Sequence, residues 1–476
     1  MTAAPAAQIA ARLDRIPPSR ALWRIVVLIS LGGVFEFYDL FFTAYVAPGM
    51  RESGLFAPDS LGVFSALGAV RVAGFGTFVF STFAGLWVGV VAFGQAADRF
   101  GRKSVFTASL IWYVLSTLVM AFQRTGQWLN VWRFIAGVGF GVQLVTIDTY
   151  IVELVPRNLR GRAFSINQCI CFSIVPVVAW LAWLLRPPRA PLGLEGWRWV
   201  VLLGSVGAIA VWALRAGIPE SPRWLAAQGR APEAERIMSV LERHAIAETG
   251  ALPAPAALSA SERPGRARLA EIFAPRYRGR TLMLSVFNAA QVIGFYGFNS
   301  WLPTLLTARG ITVTSGLEYA FLIAIAQPFG PLIGSCFADR IERKIQIVGG
   351  LACMGIAMAA FALASSPAAL IAIGIIFTLA ANIMSFAYHG YQAELFPTRI
   401  RSRAVGFVYS WSRLAAAFAG LIVGALLADG GVRAVAVFIG CAMVLGIGII
   451  GLLGPPTRGV GLEQLNEPAG QRAGRE

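Results

Sequence analysis

The sequence predicts an all-α integral membrane protein of twelve transmembrane helices, built as two six-helix halves with both termini in the cytoplasm. Three observations lead there: a composition too apolar for a soluble globule, recurrent apolar runs of about 20 residues, and a long repeat at one fixed spacing. Of 476 residues, 57% are hydrophobic and only 13% charged, whereas soluble domains carry roughly a quarter charged residues.

The apolar runs fall at 22–48, 72–97, 104–123, 127–152, 162–185 and 197–217, then at 281–307, 316–338, 345–364, 367–390, 402–427 and 432–454. As helices rising about 1.5 Å per residue, runs of this length cross a hydrocarbon core of roughly 30 Å. Residues 1–21 carry Arg12, Arg15 and Arg20 without a small-residue cleavage site, so they are expected to be a retained cytoplasmic tail and the first run a permanent anchor. Starting inside, the chain places Arg99, Arg102 and Lys103, then Arg157, Arg160 and Arg162, then Arg340, Arg343 and Lys344, then Arg399, Arg401 and Arg403 in the cytoplasm. Residues 218–280 form a basic cytoplasmic bridge with a helical pattern near 233–247, and residues 455–476 a cytoplasmic tail.

A formal charge of +16 would suggest nucleic acid in a soluble protein. Here the arginines sit in connections between spans, so topology accounts for them and no nucleic-acid partner is expected; membrane lipid is. Cys169, Cys171, Cys336, Cys353 and Cys441 all lie within apolar runs with no zinc-type spacing, and are expected to pack as small hydrophobes without disulfide or metal.

The halves repeat. Asp98, Arg99, Arg102 and Lys103 recur 241 positions later as Asp339, Arg340, Arg343 and Lys344, and Tyr150, Glu153, Leu154, Pro156, Arg160 and Arg162 recur at the same offset as Tyr391, Glu394, Leu395, Pro397, Arg401 and Arg403. Ten identities at one offset imply a duplicated six-helix unit. Parallel repeats of this kind place a solute site near the bilayer midplane, between halves that rock around it.

Gly94-Gln-Ala-Ala-Asp98-Arg99-Phe-Gly101-Arg102-Lys103 joins the second and third runs in a tight, glycine-dependent turn. It resembles the signature loop of the major facilitator superfamily, and the second copy is degraded, with Glu342 in place of the glycine. Gly196-Trp-Arg-Trp199, Pro219-Glu-Ser-Pro-Arg-Trp-Leu225, the repeated Y-x-x-E-L-x-P and Pro455-Pro-Thr-Arg-Gly459, an altered P-E-T-K-G, resemble the sugar porter branch and its metabolite:proton symporter relatives. The resemblance implies the major facilitator fold and alternating access. It also implies a cytoplasmic gate of Gly94, Asp98, Arg99, Gly101, Arg102, Lys103, Glu153, Arg160, Asp339, Arg340, Arg343, Glu394 and Arg401, holding the outward-facing state.

Charge inside a bilayer is costly and usually kept for function. Glu36 and Asp39 lie three apart, hence on one face of the first helix. Arg133 of the fourth lies about 6 Å from Asp39 in depth at helical rise, within reach of an arginine side chain. The pair is expected to form, with Gly137, Gly139 and Gly141 letting the fourth helix approach its neighbour. In proton-coupled sugar porters these places hold the coupling pair, so the resemblance assigns proton coupling to Asp39 and Arg133; Glu36, a second carboxyl within the same span, is the other candidate.

The pattern Q-Q-x-x-G-x-N that hexose-binding sugar porters show in the seventh run is broken here by Ala290 and Tyr296, and Arg413 stands mid-way through the eleventh. Fewer amides, more aromatics and a buried guanidinium suit an organic or aromatic acid. Arg413, Gln291, Tyr296, Asn299, Gln143, Tyr38, Trp301 and Asn382 are the expected solute contacts. His389 reads as a packing or gate residue. The expectation is therefore secondary active uptake of a small organic solute by proton symport, with H+ the only coupling species, no cofactor, and a monomer sufficient. A sugar or polyol symporter and a uniporter are the alternatives; drug efflux, a nutrient sensor and a membrane enzyme fit less well, the last for want of a nucleophile with a base.

Overall fold

The computed structural model describes residues 3–67, 74–93, 96–214, 218–255, 269–337 and 340–457, and among them the regular structure is helical. The N-terminal half contains spans Arg20–Glu52, Gly74–Phe93, Arg102–Ala121, Gly126–Leu154, Arg160–Leu184 and Gly196–Leu214. The C-terminal half contains Arg278–Asn299, Val313–Phe337, Arg343–Leu363, Pro367–Glu394 and the long run Thr398–Leu453, which turns at Gly431 (φ 63°, ψ −162°) into the eleventh and twelfth spans. Length and hydropathy alone select nine helices among the described residues; dividing the last of them and adding Gly126–Leu154 and Gly196–Leu214 gives twelve.

Span starts follow ordinary capping chemistry. Ser19, Thr125 and Ser366 each accept a backbone N–H three residues on, at the heads of the first, fourth and tenth spans. The second and fourth spans meet backbone to backbone: a Cβ at Gly85 would lie 2.2 Å from the Phe134 carbonyl oxygen, and one at Gly141 would lie 2.3 Å from that of Leu86. Gly139 faces the third span instead, against Trp112. This close approach brings Arg133 within bonding distance of both the first and the second span.

On the outer side the halves are packed together. Gly76 of the second span abuts the eleventh, where a Cβ would sit 2.9 Å from the Gly420 carbonyl oxygen. Phe75 meets Trp301 edge-on at 5.0 Å, Phe80 meets Phe418 at 5.7 Å and Phe83 meets Tyr296 at 4.6 Å. On the cytoplasmic side the halves part around a cavity, so this conformation faces inward.

Under the N-terminal half lies a small cytoplasmic assembly that the sequence did not suggest. Helix Ala3–Asp14 packs Ile9 and Leu13 into one apolar cluster with Trp224, Met238 and Leu241 of the linker helices Pro222–Ala227 and Ala231–Thr249. Arg12 bonds both Glu242 (2.6 Å) and Glu235 (2.6 Å), Arg15 bonds Glu242 (2.6 Å), and Arg223 bonds Asp14 (2.8 Å). The Arg12 guanidinium, with Arg15 behind it, holds the Glu242 carboxyl below its ordinary value although partial burial opposes this.

Candidate functional site

The cavity, about 2570 Å³, is walled by both halves. Its deep wall on the N-terminal side carries Glu36, Phe37 and Phe41 from the first span with Asn167, Gln168 and Phe172 from the fifth; facing them are Gln291, Phe295 and Tyr296 from the seventh, Tyr388, His389 and Gln392 from the tenth, and Tyr409 and Arg413 from the eleventh. Phe37 and Phe172 meet edge-on at 4.7 Å, and Phe41 lies 6.0 Å from Phe172, giving an apolar aromatic shelf opposite a polar wall.

Arg413 is the centre of that polar wall and is only 4% exposed. Its Nη1 donates to the Tyr296 hydroxyl (2.9 Å) and its Nη2 to the Tyr409 hydroxyl (2.5 Å), while the guanidinium lies 4.7 Å from the Tyr409 ring centre. Its Nε has no partner among the described residues, and neither bonding group carries negative charge. His389 bonds the Ser385 carbonyl through Nδ1 (2.7 Å) and the Tyr388 hydroxyl through Nε2 (3.3 Å), with its ring 5.5 Å from that of Tyr409.

Asp39 and Arg133 meet, fully buried. Arg133 Nη1 donates to Asp39 Oδ1 (2.7 Å), Nη2 to the Asp39 carbonyl (3.1 Å) and Thr43 (2.8 Å), and Nε to Thr82 (2.8 Å). Tyr113 adds a bond to the same Asp39 oxygen (2.9 Å), and the guanidinium is flanked by Phe42 and Phe78 at 4.8 and 5.3 Å. Asp39 Oδ2 is left without a partner among the described residues. Neither residue reaches the cavity wall in this conformation, whereas Glu36, one turn along the same helix, does.

Several expected solute contacts stand elsewhere in this conformation. Tyr38 turns to the sixth span, its hydroxyl donating to the Val200 carbonyl (2.5 Å). Trp301 belongs to the outer seal. Asn299 and Asn382 are both tied to Gln327: the Gln327 amide donates to Asn299 (2.9 Å) and accepts from Asn382 (2.7 Å), so their polar atoms serve helix packing. Gln143 is buried in the fourth span, away from the cavity wall. Gln291 and Tyr296 do line the cavity. Sequence reading missed Tyr409, Tyr388, Asn167, Gln168 and Gln392; the one available signal was uncharged polar residues inside otherwise apolar spans, which does not tell a cavity from a helix contact.

Of the gate residues, Gly94 and Asp339 lie outside the described residues, as do the side chains of Asp98 and Arg102. Arg99, Glu153, Arg160, Arg343, Glu394 and Arg401 line the cytoplasmic mouth of the cavity. Arg343 bridges Glu394 (3.0 Å) within the C-terminal half, while Arg160 and Arg401 each donate to the carbonyl five residues back, Val155 and Phe396. Lys103 presents its backbone N–H to Glu220 (3.1 Å) across Gly101, and Arg340 is exposed. Among the described residues no group of three or more His, Cys, Asp or Glu side chains is placed to hold a metal.

The family model described as "Sugar (and other) transporter" matches residues 25–468. The chain belongs to that family. It is similar to the putative metabolite transport protein YyaJ of Bacillus subtilis, 28% identical over 93% of this chain and 95% of the relative. It is likewise similar to the niacin transporter NiaP of Acinetobacter baylyi, 26% identical over 96% and 99%, and to the gallate transporter of Pseudomonas putida, 27% identical over 88% of each. The fold matches that of the proton:xylose symporter XylE bound to 6-bromo-6-deoxy-D-glucose, with a TM-score of 0.72 at 22% identity, covering 93% of this chain and 98% of that one. The inward-open form of XylE from E. coli matches at 0.71 and 21%, covering 93% and 99%. Family membership with twelve spans makes the chain a multi-pass membrane transporter of the major facilitator type that carries a small-molecule solute, and not an enzyme.

Proposed function

We propose that this transporter takes up a small organic acid, best fitted by an aromatic monocarboxylate, by symport with a proton. The carrying observation is Arg413: a buried guanidinium in the wall of the central cavity whose bonded partners are two neutral phenols. A permanent charge held this way is completed by an anion from solution, and a carboxylate matches the planar fork. Across the cavity, Phe37, Phe41 and Phe172 offer a surface for a ring. The niacin and gallate named for two relatives are aromatic carboxylates, which supports the same class.

Coupling resides in Asp39 and Arg133. Protonating Asp39 from the outside releases the bridge; after the halves rock, the proton leaves toward the cavity past Glu36, which lies one helical turn nearer the water. Arg133 then reclaims the carboxylate.

A thermal-shift screen of the purified protein against nicotinate, gallate, aliphatic acids, pentoses and hexoses tests the solute class, because a ligand of the native state raises its apparent stability. Acids are expected to stabilise. The amides Gln168, Gln291 and Gln392 on the cavity wall favour a second reading, a sugar or polyol solute; stabilisation by a neutral sugar and by no acid would establish that one instead.

A further inference from the structure

The two halves tie their cytoplasmic ends with matching bonds, except that one carboxylate has moved. In the N-terminal half Tyr150 donates to the Pro219 carbonyl (3.3 Å), and the next residue, Glu220, accepts the backbone N–H groups of Lys103 (3.1 Å) and Ser221 (3.0 Å). The segment after the sixth span is thereby fastened to the loop before the third. Gly101 makes room for that fastening: its φ is 92°, and a Cβ there would lie 2.8 Å from Glu220 Oε2.

In the C-terminal half Tyr391, 241 positions after Tyr150, donates to the Pro455 carbonyl (2.8 Å). The prolines and tyrosines therefore correspond. The residue after Pro455 is Pro456, however, which offers no carboxylate. Glu342 stands 241 positions after Gly101, and its Oε1 accepts the backbone N–H (2.9 Å) and hydroxyl (3.5 Å) of Thr457, the counterpart of Ser221. Lys344 closes the same junction by donating to the Gly454 carbonyl (2.8 Å). A glycine is needed in the loop when the glutamate comes from the segment after the last span of the half; a glutamate in the loop is accommodated when that segment carries proline. The two departures from the family pattern, Glu342 and Pro456, explain each other.

We infer that Glu342 is the positioning carboxylate of the C-terminal half, supplying from the loop before the ninth span the tie that Pro456 does not supply from the segment after the twelfth. Its role is to make those two span ends move as one body when the halves rock.

The test is the exchange of the carboxylate between its two places: Glu342→Gly alone and Glu342→Gly with Pro456→Glu, read in the purified full-length protein. Hydrogen exchange of the peptide containing Thr457 should quicken at least tenfold in the single variant and return to within about threefold in the double variant, while peptides containing Lys103 and Ser221 stay unchanged. Spin labels at positions 161 and 406, glycines on opposite walls of the cavity where an added side chain would meet open space, report the opening of the cavity. The inward-open population should change at least twofold in the single variant and recover in the double. Unchanged exchange and unchanged distances in Glu342→Gly would overturn the inference, as would a double variant that recovers neither. If the single variant does not fold, a folded double variant with native exchange at Thr457 supports the assignment and an unfolded one refutes it.

Discussion

Replacing Asp39 by asparagine separates the two things the Asp39–Arg133 pair does. The amide keeps an acceptor where Oδ1 receives Arg133 (2.7 Å) and Tyr113 (2.9 Å) but removes the charge. Arg133 stays charged, so its bond to the amide remains charge-assisted; what the substitution removes is the compensation of a buried guanidinium. Arg133 still bonds the backbone carbonyl of position 39, Thr43 and Thr82, which keeps the loss below the ~3–5 kcal/mol of a broken buried pair. The variant should fold, with a melting temperature a few degrees lower. Its transport should change in kind. One pH unit corresponds to about 1.36 kcal/mol per proton, so one-to-one symport concentrates solute up to about tenfold when the outside is one unit more acid. In proteoliposomes the wild type should approach that ratio and lose it with a protonophore. The Asp39→Asn variant, whose amide is a fixed mimic of the protonated carboxyl, should exchange solute between equal pools at a rate nearly independent of pH and accumulate none. If the variant still concentrates solute in proportion to the pH gradient, Asp39 is not the coupling group, and Glu36→Gln becomes the decisive substitution.

Arg413→Lys should weaken binding of the stabilising acid by at least tenfold, or about 1.4 kcal/mol, by thermal-shift titration, because an ammonium does not reproduce the fork held by Tyr296 and Tyr409; undiminished affinity would remove Arg413 from the site. In a background without the five native cysteines, Val63→Cys should label from outside intact cells and Ala247→Cys only after permeabilisation, since both positions are exposed on opposite sides of the predicted topology. Glu242 has its folded value lowered by Arg12 and Arg15, so the docking it contributes is present above the ordinary carboxylate value of 4.5 and is lost as pH falls through the lower folded value. Protection of residues 3–14 from hydrogen exchange should accordingly fade on acidification below about 4.5, and Glu242→Gln should show the same loss at pH 7; full protection in that variant would refute the ion-pair account.

The extent to which the sequence foretold the site differs by kind of residue. Asp39 and Arg133 could be paired in advance because charge is rare inside spans and helical rise fixes depth to within a side chain's reach. Arg413 stood out for the same reason. The amides and aromatics did not sort themselves: Asn299, Asn382 and Trp301 read the same in sequence as Gln291 and Tyr296, and only the packing of the seventh, eighth and tenth spans sends one set to Gln327 or the outer seal and the other to the cavity. The docked helix Ala3–Asp14 was likewise invisible, since its partners lie more than two hundred residues away along the chain.

By itself the sequence determined the number of spans, the duplication and the family, because each is written in local composition or in a fixed register: apolar length, loop motifs, and identities 241 residues apart. Tertiary structure decided what faces water. That depends on how twelve helices rotate and cross, on glycine contacts such as Gly85 on Phe134 and Gly76 on Gly420, and on which end of the molecule is closed. In a membrane both a cavity wall and a helix interface hold polar side chains within apolar spans, so sequence periodicity cannot separate them, and only packing places Arg413 on the cavity wall and the Asp39–Arg133 pair in the dry interior behind it.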